Sequence, residues 1–263
     1  MSIMITSLTN SKVKYVRRLQ RDRRFRHREK MMVVEGSRWL SELLASQLAP
    51  QQLFYTADWQ AANADILQQL TELAHLPPLP VSPAVMAAMS DTTTPPGIMA
   101  ILPQPNLPLP GQPSLLLILD GINTPGNLGT MLRTAAAAGA DGVLLGPGCV
   151  DASNPKVVRG SMGALLRLPV LSLSWAKIGE IVQNIAVWVA VVNGGKGYTA
   201  VPWQNPSALI IGSEAAGVSP QAQQIASGSL TIPMYAATES LNAAIAAGII
   251  LFEARRQRSS RAA

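Results

Sequence analysis

Apolar positions along the chain form short runs and helix-spaced sets on either side of a proline-rich break. Before the break, Lys12–Arg28 reads as a helix and Met31–Val34 as a short strand. Ser37 is placed to cap a helix through Ser46, with Trp39, Leu40, Leu43 and Leu44 on one face. Leu53–Thr56 predicts a second strand and Asp65–Ala74 another helix. Val81-Ser82-Pro83 opens a short helix over Ala84–Met89, and Gly97–Leu102 closes the set as a strand.

After the break the alternation is clearer. Leu115–Leu119 is continuously apolar, as a strand buried on both faces should be. Leu128, Met131, Leu132, Ala135 and Ala136 follow at helical spacing, and Gly139 stops that helix. Gly142–Leu145 predicts a strand, Lys156–Leu166 a helix, Val170–Leu173 a strand and Ile178–Asn184 a helix. Val187–Val192, Ala208–Ile211 and Leu230–Met234 are further strands. A final helix carries Leu241, Ala244, Ile245, Gly248, Ile249 and Phe252 on one side. Strands alternating with helices predict an α/β fold with a parallel sheet.

The break itself is Pro103–Pro113, PQPNLPLPGQP, whose prolines favour extended geometry and neither pair in a sheet nor continue a helix. It divides the chain into a smaller N-terminal α/β domain (1–102), a linker (103–113) and a C-terminal domain (114–263), both domains of ordinary size.

Composition removes several classes. At 48% hydrophobic residues the chain can build a core, yet it holds no apolar run long enough to span a bilayer. The N-terminus lacks the layout of a secretion signal, and Cys149 is the only cysteine, so a reducing cytoplasm is expected. The only histidines, His27 and His75, are not at ligand spacing, so no metal site is expected; the C-terminal domain holds no histidine for a Ser-His-Asp triad. The net charge of +6 is local in origin. Lys12, Lys14, Arg17, Arg18, Arg21, Arg23, Arg24, Arg26, Arg28 and Lys30 cluster against only Asp22 and Glu29, and the rest of the chain is slightly acidic. Such a cluster suits a polyanion. Lys12, Lys14, Arg17, Arg18, Arg21 and Arg24 are the candidate polyanion contacts, with Tyr15 and Phe25 as rings on which bases could stack. A solvated helix face or a basic arm is the plainer reading.

Three predicted strand ends carry polar and glycine-rich sequence, and ligands of open α/β sheets sit at such ends. The first is DGINTPGNLGTMLR (120–133), where Gly126, Asn127 and Gly129 allow tight turns and Arg133 projects one turn into the next helix, away from its apolar face. The second is IGSEAAGVS (211–219). The third runs from Ile232-Pro233-Met234 through the turn Glu239-Ser240-Leu241-Asn242 to the mouth of the last helix, where free backbone N–H groups would suit a small polar ligand. Taken singly, each also has a structural reading: a packing turn, a surface ion pair for Arg133, caps for Glu214 and Asn242. The first turn lacks the dinucleotide fingerprint, and no Walker A loop is present.

These residues resemble the SpoU (TrmH-type) RNA 2′-O-ribose methyltransferases of the SPOUT superfamily. Asn127-Leu128-Gly129…Arg133-Thr134-Ala135…Gly139, Ile211-Gly212-Ser213-Glu214…Gly217 and Ile232-Pro233-Met234…Ser240-Leu241-Asn242…Ala246…Phe252-Glu253…Arg256-Gln257-Arg258 are similar to the family's three motifs in order. Asn10–Ser46, with Val34-Glu35-Gly36, is similar to the substrate-binding domain of the rRNA-directed, thiostrepton-resistance-like branch. Ala215, Ala243 and Ala244 depart from the residues usual in the family.

The resemblance implies a parallel sheet whose C-terminal segment forms a deep trefoil knot, and a homodimer formed through the methyltransferase domain. It implies S-adenosylmethionine as cofactor, with backbone contacts from Gly212, Ile232 and Leu241 and with Met234 and Ala243 completing the set. It also implies methyl transfer to a ribose 2′-hydroxyl, most naturally in 23S rRNA, with Arg133, Asn127, Glu214, Ser240 and Asn242 as catalytic residues. Asn127 and Asn242 would orient Arg133 and the ribose, Ser240 would bond within the site, and Glu214 would fix a loop or the arginine. An arginine keeps its proton, since its pKa stays above ~12, so gripping a phosphate or a developing alkoxide suits Arg133 better than acting as a base. A tRNA 2′-O-methyltransferase and a non-catalytic RNA-binding or ribosome-assembly protein on the same fold are the competing readings.

Overall fold

A computed structural model describes residues 4–235 and 240–259. The chain divides into two compact units: Met1–Pro105 with Ser153–Leu166, and Asn106–Ala152 with Arg167–Ala263.

The first unit contains α1 (Ser11–Arg21), α2 (Arg23–Glu29), β1 (Met31–Glu35), α3 (Ser37–Ala45), β2 (Gln52–Tyr55), α4 (Ala57–Ala62), α5 (Ala64–Ala74), β3 (Leu79–Pro80), α6 (Pro83–Met89) and β4 (Ile98–Pro103). Its sheet has the order β1-β4-β2-β3, with β4 antiparallel to both neighbours and β2 parallel to β3. The strand expected to close the domain is therefore central. Val13, Val16 and Leu19 of α1 pack with Val85 and Met86 of α6 against Val33, Phe54 and Met99 of the sheet.

The single helix expected over 12–28 breaks at Asp22, whose backbone is extended (φ −109°, ψ 105°). Its carboxylate accepts from Phe25 N at 3.0 Å and so caps α2. That backbone N–H, followed by the neighbouring Arg18, holds the Asp22 carboxyl below the usual range. Past the break, Arg26 is only 3% exposed, and its Nη1 donates to Leu19 O at 2.8 Å and Gln20 O at 3.4 Å. These are carbonyls of the last turn of α1, which has no intrahelical donors for them. Arg26 is thus a structural clamp inside the basic stretch. The rings expected to stack on bases are also engaged. Phe25 is buried, with the guanidinium carbons of Arg18 and Arg28 4.2 and 4.9 Å from its centroid, and Tyr15 meets it edge-on at 5.3 Å.

The second unit contains β5 (Leu115–Asp120), α7 (Pro125–Ala138), β6 (Gly142–Leu145), β7 (Val170–Ser172), α9 (Trp175–Val182), β8 (Ala186–Ala190), β9 (Lys196–Gly197), β10 (Ser207–Gly212), α10 (Pro220–Gln224), β11 (Gly228–Thr231) and α11 (Ala243–Ser259); α8 (Pro155–Ser161) lies in the first. Seven strands in the order β7-β6-β5-β10-β8-β11-β9 pair in parallel throughout. Every residue of β5 is buried, as its apolar run requires. The chain lays down β5, β6 and β7 in one direction and begins again with β8 and β9. Then β10 enters between β5 and β8, and β11 between β8 and β9.

Several boundaries differ from expectation. Gly126, Asn127 and Gly129 are helical, because Pro125 pre-sets the first turn of α7; Arg133 therefore stands two turns into the helix. The strand expected to reach Met234 ends at Thr231, before Pro233, which has no N–H to pair. Of the apolar side expected for the last helix, Ile245 and Phe252 are 56% and 50% exposed. Ala244 is buried as expected, but the rest of the buried side is Ala243, Ala247, Ile250, Leu251, Ala254 and Gln257, and α11 packs on α7. The helix expected over 156–166 ends at Met162, in left-handed conformation (φ 50°), and a separate 3-10 turn covers Ala164–Leu166. This segment packs in the first unit, with α8 against β1 and with Val157 and Val158 buried. The proline-rich stretch is anchored at both ends: Pro103 pairs with Met31, and Leu109 packs into the core of the second unit.

Replacing Arg26 with Met should leave Leu19 and Gln20 carbonyls buried without donors, at a cost of about 1–3 kcal/mol. Thermal unfolding should register this as a lower transition temperature; an unchanged melt would show that the clamp is dispensable.

Candidate functional site

The site is built where β10 ends. After Gly212 the chain makes a turn closed by Ser213 N to Gly217 O (3.0 Å) and Gly217 N to Ser213 O (2.9 Å), with Ser213 Oγ accepting from Ala216 N at 3.1 Å. The turn folds back so tightly that a Cβ on Gly212 would lie 2.3 Å from Gly217 O. Position 212 therefore excludes any side chain. Buried Asp120, the last residue of β5, accepts from Ser219 N at 2.5 Å and holds the far side of the same loop.

Glu214 sits in that turn. Its Oε1 accepts from Asn242 Nδ2 at 2.7 Å, Asn127 Nδ2 at 2.9 Å and Ala243 N at 3.3 Å. Asn242 Nδ2 also approaches Asn127 Oδ1 at 3.2 Å, while Asn242 Oδ1 accepts from Ala244 N (3.0 Å) and Ile245 N (3.3 Å). The three motif loops meet here. The mouth of α11 is not an open ligand site, however: its first backbone donors are taken by Glu214 and by Asn242 as N-cap. Glu239, assigned to the same turn from sequence, lies outside the described residues.

Beside this knot of hydrogen bonds is a cleft of about 320 Å³. Gly212, Ile232, Met234, Leu241 and Ala243, the expected cofactor contacts, all line it, as do Glu214 and Ser240. Its walls are largely aliphatic, with Ile211, Leu230 and Ile250 among them. Val191, Val192 and Gln223 line it too and carried no signal in the motifs. The first two follow the carboxyl end of β8, a position the strand-end rule could have flagged.

Arg133 is not drawn into the network. It lies on the exposed side of α7, six residues beyond Asn127 and so on another face of the helix, without a hydrogen bond or ion pair among the described residues. Asn127 and Asn242 are fastened to Glu214 instead. Among the expected RNA contacts, Lys14, Arg21 and Arg24 are exposed. Lys12 Nζ donates to Gln52 Oε1 at 2.9 Å, Arg18 lies 3.4 Å from Asp22, and Arg17 is half-buried. The Cys149 thiol donates to Leu119 O at 3.2 Å, and burial pushes its pKa up, which makes it a poor nucleophile. No group of three metal-ligating side chains occurs among the described residues.

Residues 114–252 match the SpoU rRNA Methylase family, and residues 10–100 match the MRM3-like substrate binding domain. An uncharacterized tRNA/rRNA methyltransferase of Synechocystis is 36% identical over 96% of this chain and 93% of its own length. The 23S rRNA (guanosine(2553)-2′-O)-methyltransferase RlmP of Bacillus subtilis is 36% identical over 66% of this chain and 71% of its own length. The crystal structure of an AdoMet-bound rRNA methyltransferase from Sinorhizobium meliloti superposes with a TM-score of 0.86 at 29% identity, covering 97% of this chain and 98% of that one.

Substituting Glu214 with Ala would strip three donors of their acceptor and uncap α11. The exposed setting limits the loss to about 1–2 kcal/mol, seen as a lower melting temperature. Gly212→Ala should go further and displace the 213–217 turn, readable as loss of ligand binding in the cleft.

Proposed function

The chain belongs to the SpoU rRNA methylase family, and from that premise we propose how its site works. The protein is an enzyme that transfers a methyl group from S-adenosylmethionine to a ribose 2′-hydroxyl of ribosomal RNA, and we infer 23S rRNA as the substrate. The observation that carries the reading is the convergence of three loop ends on Glu214, which itself lines the cleft.

The cleft suits the cofactor. About 320 Å³ lined by Ile211, Leu230, Ile232 and Ile250 fits a flat purine, and the bare Gly212 lets a ligand approach the backbone. When bound, the cofactor supplies a methyl group already activated on sulfur. The protein's part is to position and to stabilise. Gly212, Ile232 and Leu241 present backbone to the nucleoside, with Met234 and Ala243 beside them. Ser240 places a hydroxyl at the cleft wall. Glu214 is a positioning residue: by accepting from Asn127 and Asn242 Nδ2 it fixes two amides behind the cleft wall that it lines. Arg133, which no acidic group in the described chain neutralises, is free to grip a flanking phosphate or the developing alkoxide.

The same reading assigns RNA capture to the first unit through Lys12, Lys14, Arg17, Arg18, Arg21 and Arg24. We infer a cytoplasmic location. Late insertion of β10 between β5 and β8, followed by return of the chain to α7, supports a C-terminal trefoil knot. The exposed apolar pair Ile245 and Phe252 on α11 supports a homodimer through the methyltransferase domain.

Arg133→Ala should lower methyl transfer from tritiated S-adenosylmethionine to 23S rRNA by at least ~10²-fold, while calorimetric affinity for the cofactor stays within a factor of about two. Retained turnover would refute the role given to Arg133, and absence of transfer by the wild type would point to a non-catalytic RNA-binding protein. Ile245→Arg combined with Phe252→Asp should convert the dimer to monomer in sedimentation analysis; a species of unchanged mass would move the interface elsewhere.

A further inference from the structure

The helix between β6 and β7 has no part in the methyl-transfer reading. Parallel neighbours need a crossover, ordinarily a helix lying on their own sheet. Here the crossover helix α8 packs against β1 of the first unit, burying Val157, Val158 and Ser161. Lys156 and Arg159 are left exposed. They stand three residues apart, a spacing at which like charges repel. Lys156 has no side-chain partner among the described residues. Arg159 Nη1 lies 3.4 Å from Asp91 Oδ2.

Asp91 connects this pair to the basic helix. Its backbone N–H donates to Glu35 Oε1 at 3.1 Å, and Gln20 Nε2 donates to the same oxygen at 2.6 Å. Gln20 is in the last turn of α1, beside Arg17, Arg18 and Arg21. Bonds through Glu35 and Asp91 thus run from the end of α1 to α8, and the cations of both helices border the carboxyl end of β1. Asp91 offsets one positive charge of α8, and the other remains without a counter-charge.

We propose that α8 is a second RNA-binding element of the first unit, with Lys156 and Arg159 holding backbone phosphates of the RNA that α1 and α2 engage. The proposal rests on the rRNA reading above. It makes the RNA surface a composite of two distant stretches of sequence, the second contributed from within the methyltransferase region. Phosphate is the chemistry these groups fit: an ammonium and a guanidinium, both exposed.

The test measures binding of the full-length protein to in vitro transcribed 23S rRNA over a series of KCl concentrations. Removing one phosphate-binding cation should lower the slope of log affinity against log salt by ~1. Lys156→Ala should show that drop with several-fold weaker binding, Lys156→Glu a larger one, and Lys156→Arg neither. Unchanged melting temperature and unchanged affinity for S-adenosylhomocysteine would exclude misfolding. Lys14→Ala combined with Arg21→Ala is the parallel arm for α1. If that arm weakens binding while the Lys156 variants leave slope and affinity untouched, the proposal is overturned and the rRNA reading stands. If the wild type itself fails to bind, the rRNA reading falls and the role of α8 with it.

Discussion

Oε1 of Glu214 accepts from Asn127, Asn242 and the Ala243 backbone, and these three bonds fasten the ends of β10, α7 and α11 to one another. All three donors share the one carboxylate oxygen. Hydrogen bonds to a charged acceptor are also stronger than those between neutral groups. The carboxylate rests at a helix N-terminus, where the backbone dipoles favour it. The cleft wall made by Gly212, Leu241 and Ala243 takes its shape from this point.

Other parts of the second unit serve the same geometry. Asp120 holds the loop that carries Glu214, and Asp141 binds Ser114 N at 2.6 Å and Leu115 N at 2.9 Å at the start of β5. The end of α11 is fixed by buried Gln257, which accepts from Trp203 N at 3.1 Å, and by Arg258, which donates to Ser114 O at 2.5 Å and Asn205 O at 3.0 Å. Of the terminal basic residues, Arg256 is bound to Glu253 at 2.8 Å. Arg256 and Arg258 are therefore structural, whereas Arg255 is exposed without a hydrogen bond or ion pair among the described residues.

Periodicity made the parallel sheet legible, because strands buried on both faces leave continuous apolar runs such as Leu115–Leu119. The three loops were legible as one site because strand ends of such a sheet share an edge. What sequence could not show was partner choice. Phe25 looks available until Asp22 breaks the helix and lays Arg18 and Arg28 over its ring. Arg26 looks like one more surface cation until the same break buries it. The mouth of α11 looks open until Glu214, a neighbour only in space, fills it. Ile245 and Phe252 read as core because they are apolar, whereas the core side of α11 is built from alanines that let it lie close to α7. Nothing in the spacing of Lys156–Leu166 indicates which unit its apolar face will cover.

That last feature bears on how the protein is made. Domains commonly fold as they leave the ribosome, the N-terminal one first. Here the first unit takes α8 and the 3-10 turn Ala164–Leu166 from beyond the opening strands of the second. Its structure is complete only after translation has passed Leu166. Until then the nascent chain carries β1 without the helix that packs on it, while β5, α7 and β6 have already emerged. The order of synthesis and the order of assembly cannot coincide, so the basic N-terminal segment waits on the growing polypeptide for a piece encoded in the middle of the message.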